Sequence, residues 1–141
     1  MADTVTAQRR SEIMSKIRAK GMKPEMAVRR MTHAMGYRYR LHGKDLPGKP
    51  DLVFPSRRKV IFVHGCFWHQ HSDPACRIAH LPKSNRHYWL PKLERNVIRD
   101  AEQRAELARL GWDVLVIWEC DVVRDDGIAD RIRSFLERAD G

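Results

Sequence analysis

Three cysteines and one histidine constrain the fold of this 141-residue chain more than any other feature. Four residues separate Cys66 from His71 and His71 from Cys76, and Cys120 follows an apolar run much later in the chain. Three thiolates and one imidazole make a closed tetrahedral zinc set. Such a site ties the segment 64–80 to the end of a core strand, and binding of this type contributes about 10 kcal/mol to folding. Alternatively Cys120 is a small buried hydrophobic residue and Cys66 and Cys76 are free thiols, and His69 is a second choice for the imidazole ligand.

The composition indicates one basic domain with a polyanionic partner. A hydrophobic share of 43% fits a single core at this length. The net charge of +9 and the pI near 9.9 favour nucleic acid, although ribosomal and membrane-surface roles fit the charge alone. No run approaches about 18 uninterrupted apolar residues, and the first ten residues, MADTVTAQRR, lack the apolar middle of a secretion signal. We therefore expect a cytoplasmic protein.

Four segments have the apolar spacing of helices. The first, 8–20, has few apolar residues among many basic ones, which predicts a loosely docked arm. The second, 24–36, begins at a proline suited to the first helical position. The third extends over 89–110, and the fourth over 128–139. The predicted buried face of the third helix consists of Leu93, Val97, Ala101, Ala105 and Ala108.

Four other segments favour strands. Aromatic or apolar residues alternate with basic ones over 37–42, the pattern of a half-exposed strand. The apolar runs 51–54 and 59–63 are joined by PSRR at hairpin spacing, which predicts an antiparallel pair in the core. The run 112–118 reads as a buried strand. The order ααβββαβα predicts an α/β fold with a mixed central sheet flanked by helices.

A carboxylate and two imidazoles indicate hydrolysis of phosphodiesters. Nucleases that use magnesium need a fixed carboxylate, because Mg²⁺ prefers hard oxygen ligands. Asp51 in GKPDLVF meets that need, and the paired strand leads into His64 and His69. Imidazole exchanges protons near neutral pH. In the alternative interpretation Asp51 caps a turn and the histidines are structural.

Five sequence blocks together resemble one nuclease family over nearly the whole chain. They are KPDLVF, VIFVHGCFWHQH, RHYWLPKLERNVIRD, LGWDVLVIWEC and an N-terminal set of Met14 with Pro24 and Glu25. These blocks resemble the very short patch repair (Vsr) endonucleases. The resemblance implies a restriction-endonuclease-like fold in one domain, 1–141, with a basic DNA-binding arm at 1–23 and a core at 24–141. It also implies a magnesium-assisted nick on the 5′ side of the mismatched T in T:G pairs.

The resemblance assigns roles to the residues of the site. Asp51 would bind magnesium, His69 would act as the general base or orient water, and His64 would lie at the scissile phosphate. Glu25 would support the site, although the positive end of a helix dipole also favours an acidic residue there. Val63 stands where the family has a threonine, so any magnesium contact comes from its backbone carbonyl. The family pattern also places Cys66, His71, Cys76 and Cys120 around zinc, with a longer spacing from His71 to Cys76 here. The Glu-x-Lys usual in restriction-type nucleases is absent, because Val63, His64 and Gly65 occupy that stretch.

Aromatic and basic residues are expected to bind the mismatch. A T:G pair is weakly stacked, so inserted apolar groups unstack it at a low cost of a few kcal/mol. Since the segment 64–80 fits neither helix nor strand, adjacent Phe67 and Trp68 are expected on opposite sides of an extended chain. The resemblance puts Phe67, Trp68 and Trp89 in a wedge and Met14 in the opposite groove; burial around zinc and ordinary packing are the alternatives. Phosphate contacts are expected from Arg9, Arg10, Lys16, Lys20 and Lys23, and more weakly from Asn96 and Arg99.

Three other functions fit parts of this pattern. They are a non-catalytic zinc-stapled DNA-binding module, a dimeric restriction-type enzyme that cuts both strands, and a nuclease in which His64 and His69 bind a catalytic zinc. We see no apolar face that indicates a dimer, so a monomer is expected. The resemblance further implies linkage to a cytosine-5 DNA methyltransferase and to general mismatch-repair proteins.

Overall fold

A computed structural model describes residues 23–70, 76, 83–124 and 127–138 of the chain. Within them, four strands form one mixed sheet in the order β1-β2-β3-β4. The strands are β1 Arg40–Leu41, β2 Leu52–Phe54, β3 Lys59–His64 and β4 Asp113–Trp118. The helices are α1 Pro24–Ala34, α2 Cys66–His69, α3 Arg86–Arg109, α4 Glu119–Arg124 and α5 Ile128–Glu137. The predicted arm over 8–20, with Arg9, Arg10, Met14, Lys16 and Lys20, lies outside the described residues, as does His71.

The predicted hairpin is confirmed. Strands β2 and β3 pair antiparallel with Leu52 opposite Ile61, and a 3-10 turn over Pro55–Arg57 connects them. Strand β3 then pairs parallel with β4, so that His64 lies opposite Trp118. A parallel pair needs a long crossover, and α3 supplies it. The α/β fold class with a mixed sheet is therefore confirmed, and the ends of β3 and β4 meet at one edge.

Apolar side chains pack on both faces of this sheet. The larger cluster joins α1, α4 and α5 to side chains such as Leu52, Ile61 and Ile117. The smaller cluster places Leu107 of α3 against Val60 on the opposite face. None of the helices in the described part of the chain is long and apolar enough to cross a membrane.

The buried face of α3 differs from the prediction. Leu93 and Leu107 are buried, but Val97, Ala101, Ala105 and Ala108 are exposed. The partly buried positions between the two leucines are Asn96, Asp100, Gln103, Arg104 and Glu106. The inward face of α3 covers a polar cleft as well as part of the core. The prediction from apolar periodicity therefore chose a face of the helix that is mostly exposed.

Three local predictions are corrected in the same way. The strand predicted over 37–42 is reduced to Arg40–Leu41, because the hydroxyls of Tyr37 and Tyr39 bond to α5 and α1. Strand β4 is a partly exposed edge strand in which Ile117 is fully buried. The segment after β3 was predicted to be irregular, yet Cys66–His69 is helical, and α4 was not predicted.

Candidate active site

A pair of carboxyl groups lies where β2 begins. The N–H of Val63 in β3 donates to Asp51 Oδ2 at 2.6 Å, because the hairpin register brings Asp51 beside that strand. The carboxyl of Glu25 in α1 is hydrogen-bonded to Asp51. Burial and the neighbouring Glu25 raise the pKa of Asp51 to about 7, although the Val63 N–H opposes the rise. The pair therefore holds a proton near neutral pH unless a cation compensates the second negative charge.

Two residues that the sequence reasoning missed bind the outer side of Glu25. Arg29 Nη2 donates to Glu25 Oε2 at 3.1 Å and lies 3.1 Å from His42 Nε2. Since a guanidinium only donates, the Nε2 atom of His42 is the acceptor. His42 Nδ1 lies 3.9 Å from Glu25 Oε1. The spacing of four residues between Glu25 and Arg29 on one helix was the available signal for this contact.

The two predicted imidazoles lie together at the end of β3. The rings of His64 and His69 are stacked, with centroids 3.9 Å apart and planes inclined by 10°. Burial and the neighbouring His69 lower the pKa of His64 to about 4, so this ring is neutral at physiological pH. His64 Nδ1 is buried without a hydrogen-bond partner among the described residues. A buried unpaired nitrogen costs about 1–3 kcal/mol, so a bound polar ligand would relieve a real penalty.

Asp100 of α3 completes the histidine side and was also missed from the sequence. Its Oδ2 lies 2.5 Å from His69 Nδ1, which fixes the orientation of that ring. Possible ligand atoms of His64, His69 and Asp100 fall within 4.8 Å of one another. A metal there would have to replace the hydrogen bond between His69 and Asp100, so the geometry favours an oriented base over a histidine metal site. Asp100 shares the face of Asn96 and Gln103, at spacings of four and three residues, which a search for polar periodicity would have found.

The side chains of Asp51, His64, His69 and Asp100 face one open polar cleft of about 270 Å³. Its walls include Asp51, Val63 and both histidines on one side and Asn96, Arg99 and Asp100 of α3 on the other. Arg99 lines the cleft from α3, and Lys49 lines it from the loop before β2. The residues suit a divalent cation, because the carboxyl oxygens of Asp51 and Glu25 are hard donors that lie close together.

A second cluster contains the three cysteines. The sulfur atoms of Cys66, Cys76 and Cys120 lie within 4.8 Å of one another, and the backbone N–H of Cys120 donates to Cys66 Sγ at 3.3 Å. Burial raises the pKa of the Cys66 and Cys120 thiols. The cluster joins the segment after β3 to α4, just past the end of β4, as the spacing predicted. Three soft donors at this separation fit a tetrahedral metal such as zinc, and thiolates bound to a metal would avoid the cost of isolated buried charge.

Aromatic rings form a partly exposed group beside the cleft. Phe67, Trp68 and Trp89 lie edge to face with centroids 5.4 to 5.7 Å apart, and Trp68 is 44% exposed. Because α2 is helical, Phe67 and Trp68 lie on neighbouring sides and share one surface, contrary to the expectation of an extended chain. Asn96 Nδ2 donates to the Trp68 carbonyl at 3.2 Å, which ties this surface to α3. Lys23 is exposed and precedes α1.

Comparisons with known proteins agree with this geometry. A family model described as DNA mismatch endonuclease Vsr matches residues 2–75. The type II nicking enzyme V.XorIIP of Xanthomonas oryzae pv. oryzae is 50% identical over 137 residues, covering 97% of this chain and 98% of that protein. The type II nicking enzyme V.NmeAIP of Neisseria meningitidis is 43% identical, covering 86% and 85%. The DNA mismatch endonuclease Vsr of Escherichia coli is 33% identical, covering 96% and 88%.

The family model spans more than half of the chain, and the relatives cover nearly all of it. They confirm the resemblance drawn from the sequence blocks and the expectation of a nuclease that nicks one DNA strand in mismatch repair. The chain therefore belongs to the Vsr family of DNA mismatch endonucleases.

Proposed function

We propose that the chain nicks one strand on the 5′ side of the mismatched T in T:G pairs, by magnesium-dependent hydrolysis. The observation that carries the proposal is the cleft itself. It brings the Asp51–Glu25 carboxyl pair within reach of the His64–His69–Asp100 group, and an exposed aromatic surface lies beside it. A binding module would have no use for a buried, charge-costly group of this kind.

Asp51 is the proposed magnesium carboxylate, and the Val63 carbonyl is the proposed second oxygen. The Val63 N–H points at Asp51, and the N–H and C=O of one strand residue lie on the same edge of the strand. When bound, Mg²⁺ would supply a Lewis acid that stabilises the charge developing on the scissile phosphate. Glu25, held by Arg29, keeps the Asp51 carboxyl in place and adds negative charge for the cation.

His69 is the proposed general base. The Nδ1–H of His69 donates a hydrogen bond to Asp100, which leaves the Nε2 lone pair for a proton of the attacking water. The Asp100 carboxylate then stabilises the imidazolium that forms. Asp100 therefore acts as a positioning residue for His69, in the way that a third group orients the base in other hydrolases.

His64 is the proposed phosphate-binding imidazole. It is neutral and buried, and its Nδ1 has no partner among the described residues. A neutral ring carries a proton on one nitrogen, which can donate to a phosphate oxygen without placing a second positive charge beside His69. The stacked rings then hold the donor and the base on the same side of the substrate.

Recognition of the mismatch is assigned to the aromatic surface. Phe67, Trp68 and Trp89 would insert beside the T:G pair, with Met14 on the opposite groove side. Stacking on a flat ring contributes about 1–3 kcal/mol per base, and the cost of unstacking is lowest at a mismatch. Arg99 is the proposed phosphate contact on α3, whereas Asn96 supports the wedge through the Trp68 carbonyl. The remaining proposed phosphate contacts are Arg9, Arg10, Lys16, Lys20 and Lys23.

Several broader features belong to the same proposal. A structural zinc bound by Cys66, His71, Cys76 and Cys120 would fix α2, and with it the wedge and His69, to α4. We propose one domain, 1–141, with the basic arm at 1–23, that acts as a monomer in the cytoplasm. Its substrate, the T:G pair, would arise when the methylated cytosine made by a cytosine-5 DNA methyltransferase is deaminated. General mismatch-repair proteins would be further partners.

A strand-resolved cleavage assay tests this function. Matched, T:G and other mismatched duplexes of varied flanking sequence are incubated with magnesium and the wild type, Asp51→Ala or the control Asp45→Ala. We expect one nick 5′ of the T in T:G duplexes by the wild type and the control. Asp51→Ala should still bind the mismatch without cutting it. Cleavage of matched duplexes in both strands would favour a restriction-type enzyme, and binding without any cleavage would favour a DNA-binding module.

A further inference from the structure

A lysine without an assigned role projects from the loop before β2. Lys49 lines the cleft together with Asp51, His69 and Arg99. Its ammonium makes no hydrogen bond or ion pair with the described residues, and its side chain is exposed at the mouth of the cleft. The Lys49 ammonium is therefore available to bind a ligand from solution.

The loop that carries Lys49 is held tightly against the cleft wall. The N–H of Gly43 donates to the Pro50 carbonyl at 3.0 Å, and that of Lys49 donates to the Leu46 carbonyl at 3.1 Å. Gly48 packs so closely that an added Cβ would lie 2.9 Å from Gln103 Oε1 and 3.1 Å from the Phe62 ring. These contacts restrain the backbone at Lys49, so the position of its Cα relative to the cleft is fixed.

The backbone at Lys49 is unfavourable for a lysine. Its φ is +49°, in the left-handed region that glycine and asparagine adopt more readily. Asn85 in this chain adopts the same region with a residue type suited to it. A lysine at such a position costs stability, and its ammonium makes no hydrogen bond or ion pair with the described residues in return, a pattern that is typical of functional sites.

The charges of the cleft point to the ligand. Asp51, Glu25 and Asp100 bring negative groups to a place where a phosphodiester must lie. At the end of β3, where restriction-type nucleases have Glu-x-Lys, this chain has Val63, His64 and Gly65, so no ammonium comes from the end of that strand. A cation that contacts the phosphate must therefore belong to another element. Lys49 lies in the loop before β2, two residues before Asp51.

We propose that Lys49 binds the scissile phosphodiester and stabilises the negative charge that develops on it during hydrolysis. This inference rests on the proposed function, since it places the scissile group in the cleft of Asp51 and His69. A preorganised cation at that position acts more strongly on the transition state than on bound substrate. The effect of removing it should therefore appear mainly in the rate of the chemical step.

The first test compares single-turnover nicking of a T:G duplex by saturating wild type, Lys49→Ala, Lys49→Arg and Lys49→Gly. Lys44→Ala, in the same loop but outside the cleft, is the matched control. We expect Lys49→Ala to nick about 10²-fold more slowly with little change in duplex affinity, and Lys49→Arg to recover most of the rate. Lys49→Gly should be as slow as Lys49→Ala but melt at a higher temperature than the wild type, because glycine relieves the left-handed backbone. If Lys49 were only structural, the nicking rates of the variants would instead rise and fall with their melting temperatures.

The second test locates the contact. A T:G duplex with a neutral methylphosphonate at the scissile position should be nicked more slowly by the wild type than the normal duplex, and the nicking rate of Lys49→Ala should discriminate less between the two. Equal discrimination by both proteins, or normal nicking by Lys49→Ala, overturns the role of Lys49 and leaves the proposed function standing. A wild type that cuts no duplex overturns both.

Discussion

The buried carboxyl of Asp51 should make the metal-free protein less stable than its Asp51→Asn variant. Asparagine reproduces the contacts of the protonated acid: its Oδ1 accepts from the Val63 N–H, and its Nδ2 donates to Glu25. The variant therefore keeps the geometry and removes the need to bury a second negative charge. The residue proposed to bind magnesium would be a stability liability whenever the metal is removed.

The magnitude follows from the pKa of the carboxyl. A rise from 3.8 to about 7 corresponds to at most about 4 kcal/mol of stability lost on ionisation. The side chain is not fully enclosed, so solvent screening reduces this to about 2 kcal/mol, or roughly 4–8 °C in melting temperature for a domain of this size. Because the folded state holds the proton more tightly, stability falls as the pH rises from about 4 through about 7. The variant's advantage should thus be fully present at pH 8 and less than half as large at pH 5.

Thermal unfolding followed by circular dichroism, with a chelator that leaves zinc bound, measures this difference at both pH values. Asp45→Asn, an exposed change in the same loop region, is the control and should melt like the wild type. Added magnesium should raise the melting temperature of the wild type and leave Asp51→Asn unchanged. A variant that melts below the wild type at pH 8 would refute the assignment of a costly charge to this site.

Three further changes test other parts of the site. Asp100→Asn should slow single-turnover nicking by about 10- to 150-fold at unchanged duplex affinity, because a charged hydrogen bond to His69 contributes about 1.5–3 kcal/mol; an unchanged rate would remove Asp100 from the mechanism. Trp68→Ala should weaken binding to T:G duplexes by about 1–3 kcal/mol in gel-shift titrations, with matched duplexes less affected and the melting temperature lowered only slightly, since the ring is 44% exposed. Cys120→Ala should abolish stoichiometric zinc in elemental analysis and lower the melting temperature; full zinc content in that variant would contradict the proposed ligand set.

Local patterns in the sequence predicted those elements whose side chains face one environment along their whole length. The hairpin of β2 and β3, the start of α1 at Pro24 and the extent of α3 follow from apolar runs, a proline and turn residues. The site residues Asp51, His64 and His69 followed from the same hairpin, because its register brings a residue preceding β2 beside the end of β3. The contacts among these residues depend on the pairing of β2 with β3, and the two apolar runs joined by a short turn predict that pairing.

Other features were decided by contacts between elements that lie far apart in the chain. The face of α3 that packs inward is polar in its middle because it closes the cleft, so no apolar pattern could identify Asp100 as the partner of His69. The helical turn at Cys66–His69 likewise depends on the cysteine cluster and α3, and it moved Phe67 and Trp68 onto one shared surface.

The sequence by itself determined that this is a basic α/β domain with a clustered cysteine set, a hairpin carrying a carboxylate and two histidines, and the blocks of a mismatch endonuclease. Only the tertiary structure decided that Arg29 holds Glu25, that Asp100 contacts His69, and that Lys49 enters the same cleft from a left-handed backbone. The physical reason is that local patterns reflect burial and turn geometry, whereas the charge on each group depends on which distant polar side chains surround it.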